Sequence, residues 1–170
     1  AVPWVVSLSA DGIYLALGMS SNGFLITYKR TGDVFAKLAD PAILPVTSMF
    51  DGVSLSDDGT YLACAQTSAP FMCNYKRTGD TFVKMDDPAS PQAYRPNRLA
   101  LSPGGLYLSI VHNTSPFISN YKRTGNTFVK LADPADLPTG NGESVAFSGD
   151  GAYLSTGTGT TPFVVNYKGI

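Results

Sequence analysis

Histidine and tryptophan occur once each in these 170 residues, cysteine twice, and charged residues make up only 15%. Two cysteines fall far short of a disulfide framework, and with a single histidine they cannot assemble a zinc site. Twelve basic residues against 13 acidic ones leave a net charge of -1, so no bulk field draws the chain to nucleic acid or to an anionic membrane. No apolar run approaches the roughly 18 residues of a membrane-spanning helix, and the start, AVPWVVSLSADG, has neither the basic nor the hydrophobic region of a signal peptide. Membrane insertion is therefore not expected. No window of ten or more residues keeps helical periodicity, which removes the α-helical classes. The chain also begins without Met, as expected of a processed chain or a piece of a longer one.

What is present is repetition. YKRTGDVFAKLADPA begins at Tyr28, YKRTGDTFVKMDDPA at Tyr75 and YKRTGNTFVKLADPA at Tyr121, and NYKGI closes the chain around Tyr167. The same frame aligns Ser9, Ser56, Ser102 and Ser148; Gly12, Gly59, Gly105 and Gly151; Tyr14, Tyr61, Tyr107 and Tyr153; and Phe24, Phe71, Phe117 and Phe163. Four units follow, at about 1–47, 48–94, 95–140 and 141–170, and together they form one domain with a 44% hydrophobic composition that suits a buried core. Cys64 aligns with Leu17, Ile110 and Thr156, and Cys73 with Ile26, Ser119 and Val165. Neither column asks for sulfur, so both cysteines read as packing residues.

Within the third unit RLALS, LYLSIVH, PFISNYKR and TFVKLAD are short aromatic and aliphatic runs bounded by turn residues, which predicts four strands. SADG, SDDG, SPGG and SGDG separate the first two, and RTGD or RTGN the last two, with Gly where a tight turn needs positive φ. The Ser of each first turn reads as a partner of the turn backbone rather than as a nucleophile. Four antiparallel strands per unit of about 46 residues is the period of a β-propeller blade. A β-sandwich would also use short strands but leaves the repeat unexplained. The fold class is therefore all-β, an array of about four blades whose last lacks its outer strand.

The S-x-D-G-x-Y-L-A step followed by an aromatic strand resembles the WD-repeat and YVTN-type propeller superfamily, with Asn-Tyr-Lys where the Trp-Asp pair of the WD family would stand. Units such as SDDGTYLA and YKRTGDTF are similar to repeats of bacteriophage and prophage structural proteins. That resemblance implies a non-enzymatic structural or adhesive module of a phage-type particle, located in the virion or outside the cell. The rival readings are a lactonase-like propeller hydrolase, whose acid and metal ligands would project from loops around the central channel, and an engineered repeat scaffold without native function. Near-identical blades argue against the hydrolase, because a catalytic centre needs different residues from different blades.

In a meander the first and third turns share one rim and the second turn and the inter-blade link share the other. The first rim is nearly constant. The second differs in every copy: MSSNG, QTSAP, HNTSP and TGTTP for one loop, and AILPVTSMFD, ASPQAYRPN and ADLPTGNGE for the other. Loops on a rigid frame carry binding, and unconstrained loops also drift; both readings stand at this stage. The recognition chemistry on that rim is Tyr94, Arg95, Arg98, His112 and Asn113, suited to a protein or glycan surface. Met49 and Phe50 read as packing between blades, and His112 as a solvated loop residue. No cofactor or bound metal is expected. The Lys-Arg pairs at 29 and 30, 76 and 77, and 122 and 123 would make a basic stripe partly neutralised by Asp33 and Asp80, with Asn126 neutral in the third copy.

At the other extreme of the array, Phe163, Val164, Val165 and Tyr167 form the last strand, an apolar edge that needs a cover. Ala1, Val2 and Pro3 are too few to supply the missing strand, and Pro3 cannot donate a ladder hydrogen bond. Completion by another chain or by residues outside this sequence is expected, a symmetric pair with about eight blades being the simplest case.

Overall fold

Successive side chains of a strand face opposite sides of the sheet, so each short segment closed by a turn presents one row of residues to each neighbouring blade. The computed structural model describes residues 2–21, 24–47 and 52–169. Among them are fifteen strands and no helix. The first blade comprises β1 (Pro3–Leu8), β2 (Tyr14–Met19), β3 (Leu25–Thr31) and β4 (Val34–Lys37), and the second β5 (Gly52–Leu55), β6 (Tyr61–Ala65), β7 (Met72–Thr78) and β8 (Thr81–Lys84). The third comprises β9 (Pro96–Leu101), β10 (Tyr107–His112), β11 (Ile118–Thr124) and β12 (Thr127–Lys130), and the fourth β13 (Gly142–Phe147), β14 (Tyr153–Thr158) and β15 (Val164–Lys168). Each sheet is an antiparallel meander in chain order, and the last has three strands. The central hairpin recurs in all four, Tyr107 facing Lys122 in the third blade as Tyr14 faces Lys29 in the first.

The first turns close by one device. The Oγ of Ser9, Ser56 and Ser102 each accepts the amide of the Tyr five residues on, at 2.9 Å, and Ser148 does so at 3.0 Å. Ser9 and Ser148 also donate to Asp11 and Asp150, and those bonds hold both carboxyls below the usual carboxylate range.

The inner strands β1, β5, β9 and β13 pack consecutively, and β13 and β1 form no fourth joint of that kind among the described residues. The first joint buries ten residues, among them Tyr14, Leu25, Leu62, Tyr75 and Phe82. The second also buries ten, including Met72, Leu108, Ile110, Tyr121 and Phe128, whereas the third buries three: Val111, Ile118 and Leu154. Cys64 and Cys73 face each other across β6 and β7 as free, buried thiols, and burial pushes both pKa values up. Their role is packing.

On the outer edges Lys37, Lys84 and Lys130 pair with Asp40, Asp87 and Asp133 at 3.0, 2.5 and 3.3 Å. The fourth blade has no such edge. Phe163 precedes β15 and is exposed with Val164, but Val165 and Tyr167 are half-buried, and Tyr167 packs into the third joint, so the final strand is apolar on both sides rather than bare throughout. A groove of about 530 Å³ runs beside it, lined by Leu131, Pro134, Asn166 and Tyr167. Among the described residues the Tyr167 hydroxyl is buried without a hydrogen-bond partner, whereas those of Tyr75 and Tyr121 donate to the Ile43 carbonyl at 3.0 Å and to Gln92 at 3.2 Å.

Candidate functional site on the variable rim

A bulge places one extra residue on one strand of a pair, twists the strand and re-aims a side chain. β1, β9 and β13 each carry one near the variable rim: Trp4, Asn97 and Glu143 are skipped in the pairing with β2, β10 and β14. These positions are equivalent in the repeat frame, with Asp51, which lies outside the described residues, as the fourth member. The inner ends of the first, third and fourth blades thus present different side chains at one geometrically equivalent place.

Around two of these bulges the rim forms a polar pocket of about 220 Å³, lined by Asn97, Arg98, Asn113 and Glu143. Asn97 Nδ2 donates to Asn113 Oδ1 and, at 2.8 Å, to the carbonyl of Gly142 in the next blade. Arg98 donates one bond to the Asn97 carbonyl at 2.7 Å and remains exposed, which leaves most of its guanidinium for a partner. A guanidinium, a carboxylate and two amides in so small a space suit one polar side chain or one sugar ring; drug-sized ligands and cofactors occupy clefts of roughly 300–1,000 Å³. Among the described residues no group of three His, Cys, Asp or Glu could hold a metal ion.

Beside the pocket, Gln92 donates to the Tyr94 carbonyl at 3.0 Å while accepting from Tyr121. This pins the link loop and sets the Tyr94 ring over His112, centroids 5.0 Å apart. His112 is therefore not a solvated loop residue: β10 runs through it, Tyr94 covers it, and it is fully buried. Its Nε2 lies 3.1 Å from Ser119 Oγ. In the same column Gln66 accepts from Val46 N at 2.8 Å and Thr158 donates to the carbonyls of Thr160 and Pro162 at 2.7 and 2.8 Å, so this position anchors rim loops in the second and fourth blades.

Burial disfavours the imidazolium and lowers the His112 pKa from 6.5, outweighing the support of the Thr114 backbone. A depressed pKa means that the unfolded chain binds the extra proton more readily. Stability is therefore full above about pH 6.5 and falls as pH drops below it. The lowered carboxyls of Asp11, Asp58, Asp80 and Asp150 begin at 3.8 and titrate well below this window. Urea denaturation between pH 7 and 5 is expected to show the loss in the wild type and not in His112→Gln; an equal slope in both proteins would remove His112 as its source.

The structure thus brings Arg98 and Asn113 together at the pocket and Tyr94 and His112 at its flank, while Arg95 is exposed on the neighbouring link. Met49 and Phe50 lie outside the described residues. Asn97, Glu143 and Trp4 are absent from the sequence-derived candidates: positions 4, 51, 97 and 143 read Trp, Asp, Asn and Glu, but positions 5, 52, 98 and 144 read Val, Gly, Arg and Ser, so the column does not stand out from its neighbours. The arginines of the constant rim have no free stripe to offer. Arg77 and Arg123 lie over the rings of Tyr14 and Tyr61 in the preceding blade at 3.8 and 4.0 Å, and bond the carbonyls of Gly59 and Gly105 at 2.9 and 3.0 Å.

No protein-family model matches the sequence, and no curated protein matches it either. Solved structures do. Hydrazine synthase of Kuenenia stuttgartiensis superposes with a TM-score of 0.69 at 14% identity, over 98% of this chain and 46% of that one. A protein of Bacteroides uniformis assigned as a 6-phosphogluconolactonase gives 0.69 at 14% identity over 98% and 50%. The Cps50 (Swd1) β-propeller domain of Myceliophteria thermophila gives 0.66 at 14% identity over 99% and 56%. These likenesses establish a β-propeller fold, and the chain spans about half the length of the solved chains it matches.

Proposed function

We propose that the chain is a non-enzymatic propeller module that binds a protein or glycan surface through its variable rim. The observation that carries the reading is the bulge position, where a fixed backbone presents Trp4, Asn97 and Glu143, the last two beside Arg98 and Asn113. A frame held constant while its rim varies from blade to blade is what recognition needs. The resemblance of the repeats to phage structural proteins supports a structural or adhesive role in a virion. The lactonase-like alternative draws on the superposition with the Bacteroides protein, and among the described residues its only acid at this pocket is Glu143.

Screening the purified chain on displayed peptides and on a glycan array tests the reading. A ligand from either arm is expected to lose at least about tenfold in affinity on Arg98→Ala or Asn113→Ala. Lys76→Ala, an exposed change on the constant rim, is expected to have no effect. Binding that follows Lys76 instead of Arg98, or lactone turnover that vanishes in Glu143→Gln, would overturn it.

A further inference from the structure

Each internal joint is built from two unlike halves. In the first, blade one contributes Tyr14 and Lys29, while blade two contributes Gly59, Arg77 and Asp80. The Tyr14 ring packs on Gly59 beneath the Arg77 guanidinium, its hydroxyl donates to Asp80 at 3.3 Å, and Lys29 Nζ reaches the same carboxylate at 2.8 Å. The second joint repeats the stack with Tyr61, Gly105 and Arg123, but neutral Asn126 replaces the acid. In the third, Gly169 stands where the arginine should be.

The two ends of the array carry the missing halves of a fourth joint, and they match the first joint more closely than the second or third does. Blade four presents Tyr153 and Lys168, the counterparts of Tyr14 and Lys29. Blade one presents Gly12, Arg30 and Asp33, the counterparts of Gly59, Arg77 and Asp80. Arg30 is already held in the receiving position, with Nε on the Gly12 carbonyl at 2.7 Å and Nη1 on that of Gly32 at 3.0 Å, as Arg77 is held by Gly59 and Gly79 at 2.9 and 2.7 Å. No ring lies under Arg30 among the described residues. Tyr153 is 48% exposed where Tyr14 is 7% exposed. Neither Asp33 nor Lys168 makes an ion pair among the described residues.

The apolar floor is in place as well. Val6 and Leu8 are 63% and 51% exposed, whereas their counterparts Val53 and Leu55, which face the preceding blade, are 8% and 7% exposed. Phe35 is exposed where Phe82 is buried. The chain follows 56% of a β-propeller domain over nearly its whole length, so its four blades take up roughly half of a ring. One further body of the same size, bearing a blade-four face and a blade-one face, fills the rest, and a second copy bears both.

We propose that two copies of this chain close a ring of eight blades, with Tyr153 and Lys168 of each seated on Gly12, Arg30 and Asp33 of the other. The joint is heterologous, and half a ring per chain lets it close after two copies instead of running on as a fibre.

Sedimentation velocity on the intact chain, across a dilution series, tests this with Asp33→Lys, Lys168→Asp, the two together, and Tyr153→Ala. The wild type is expected at about 36 kDa, twice the 18.0 kDa chain. Each single charge reversal and Tyr153→Ala are expected to raise the dissociation constant at least roughly tenfold, and the double reversal to restore it. Because the rescue needs both changes, it also shows that each variant folds. A wild type that remains near 18 kDa at high micromolar concentration overturns the proposal. So does a dimer indifferent to all the changes, an open-ended polymer, or a monomer whose melting temperature falls in the single reversals and recovers in the double, which would mean that the four blades close on themselves.

Discussion

Gly105→Ala is expected to destabilise the fold by about 2–4 kcal/mol, while Gly125→Ala, with nearly the same backbone angle, costs about 1 kcal/mol. Both glycines have left-handed φ, +64° and +61°, where an L side chain is strained. They differ in what stands beside them. A Cβ on Gly105 would lie 2.6 Å from the Tyr61 ring, and that ring cannot retreat because Arg123 covers it; a Cβ on Gly125 would meet nothing within 4 Å. Denaturant midpoints of the two variants measure the difference directly. Equal losses would mean that Tyr61 has room to move and that the stack between blades is loose.

Phe128→Ala is expected to cost about 3–5 kcal/mol, against about 0.5 kcal/mol or less for the adjacent Val129→Ala. β12 is only four residues long, and alternation turns Phe128 into the second joint beside Met85 and Tyr121 while Val129 faces solvent. For a chain of this length the larger loss corresponds to a fall in melting temperature of roughly 10 °C. A Val129 variant as damaging as the Phe128 variant would show that the outer strand is covered on both faces.

The strands, the hairpins and the truncated fourth blade were legible because they are local. Period-two alternation and Gly at fixed offsets need only neighbouring residues, as YLSIVH and RTGD show. His112 was misread because its burial is made by Tyr94, which reaches it only after Gln92 has been fixed by Tyr121. Asn97 and Glu143 escaped for a related reason: a bulge belongs to the pairing of two strands and leaves no mark in one. The Lys-Arg stripe failed on the same ground, since Arg77 and Arg123 are each occupied by a tyrosine from the preceding blade.

The unequal joints determine how the molecule comes apart. Among the described residues the main contacts between blades join sequence neighbours, so stability adds up along the chain as in a one-dimensional lattice, with one term for each blade and one for each contact between blades. The third contact buries three residues against ten in each of the others. In the isolated chain the lowest-energy opening is therefore expected to detach the C-terminal hairpins while the first three blades stay intact.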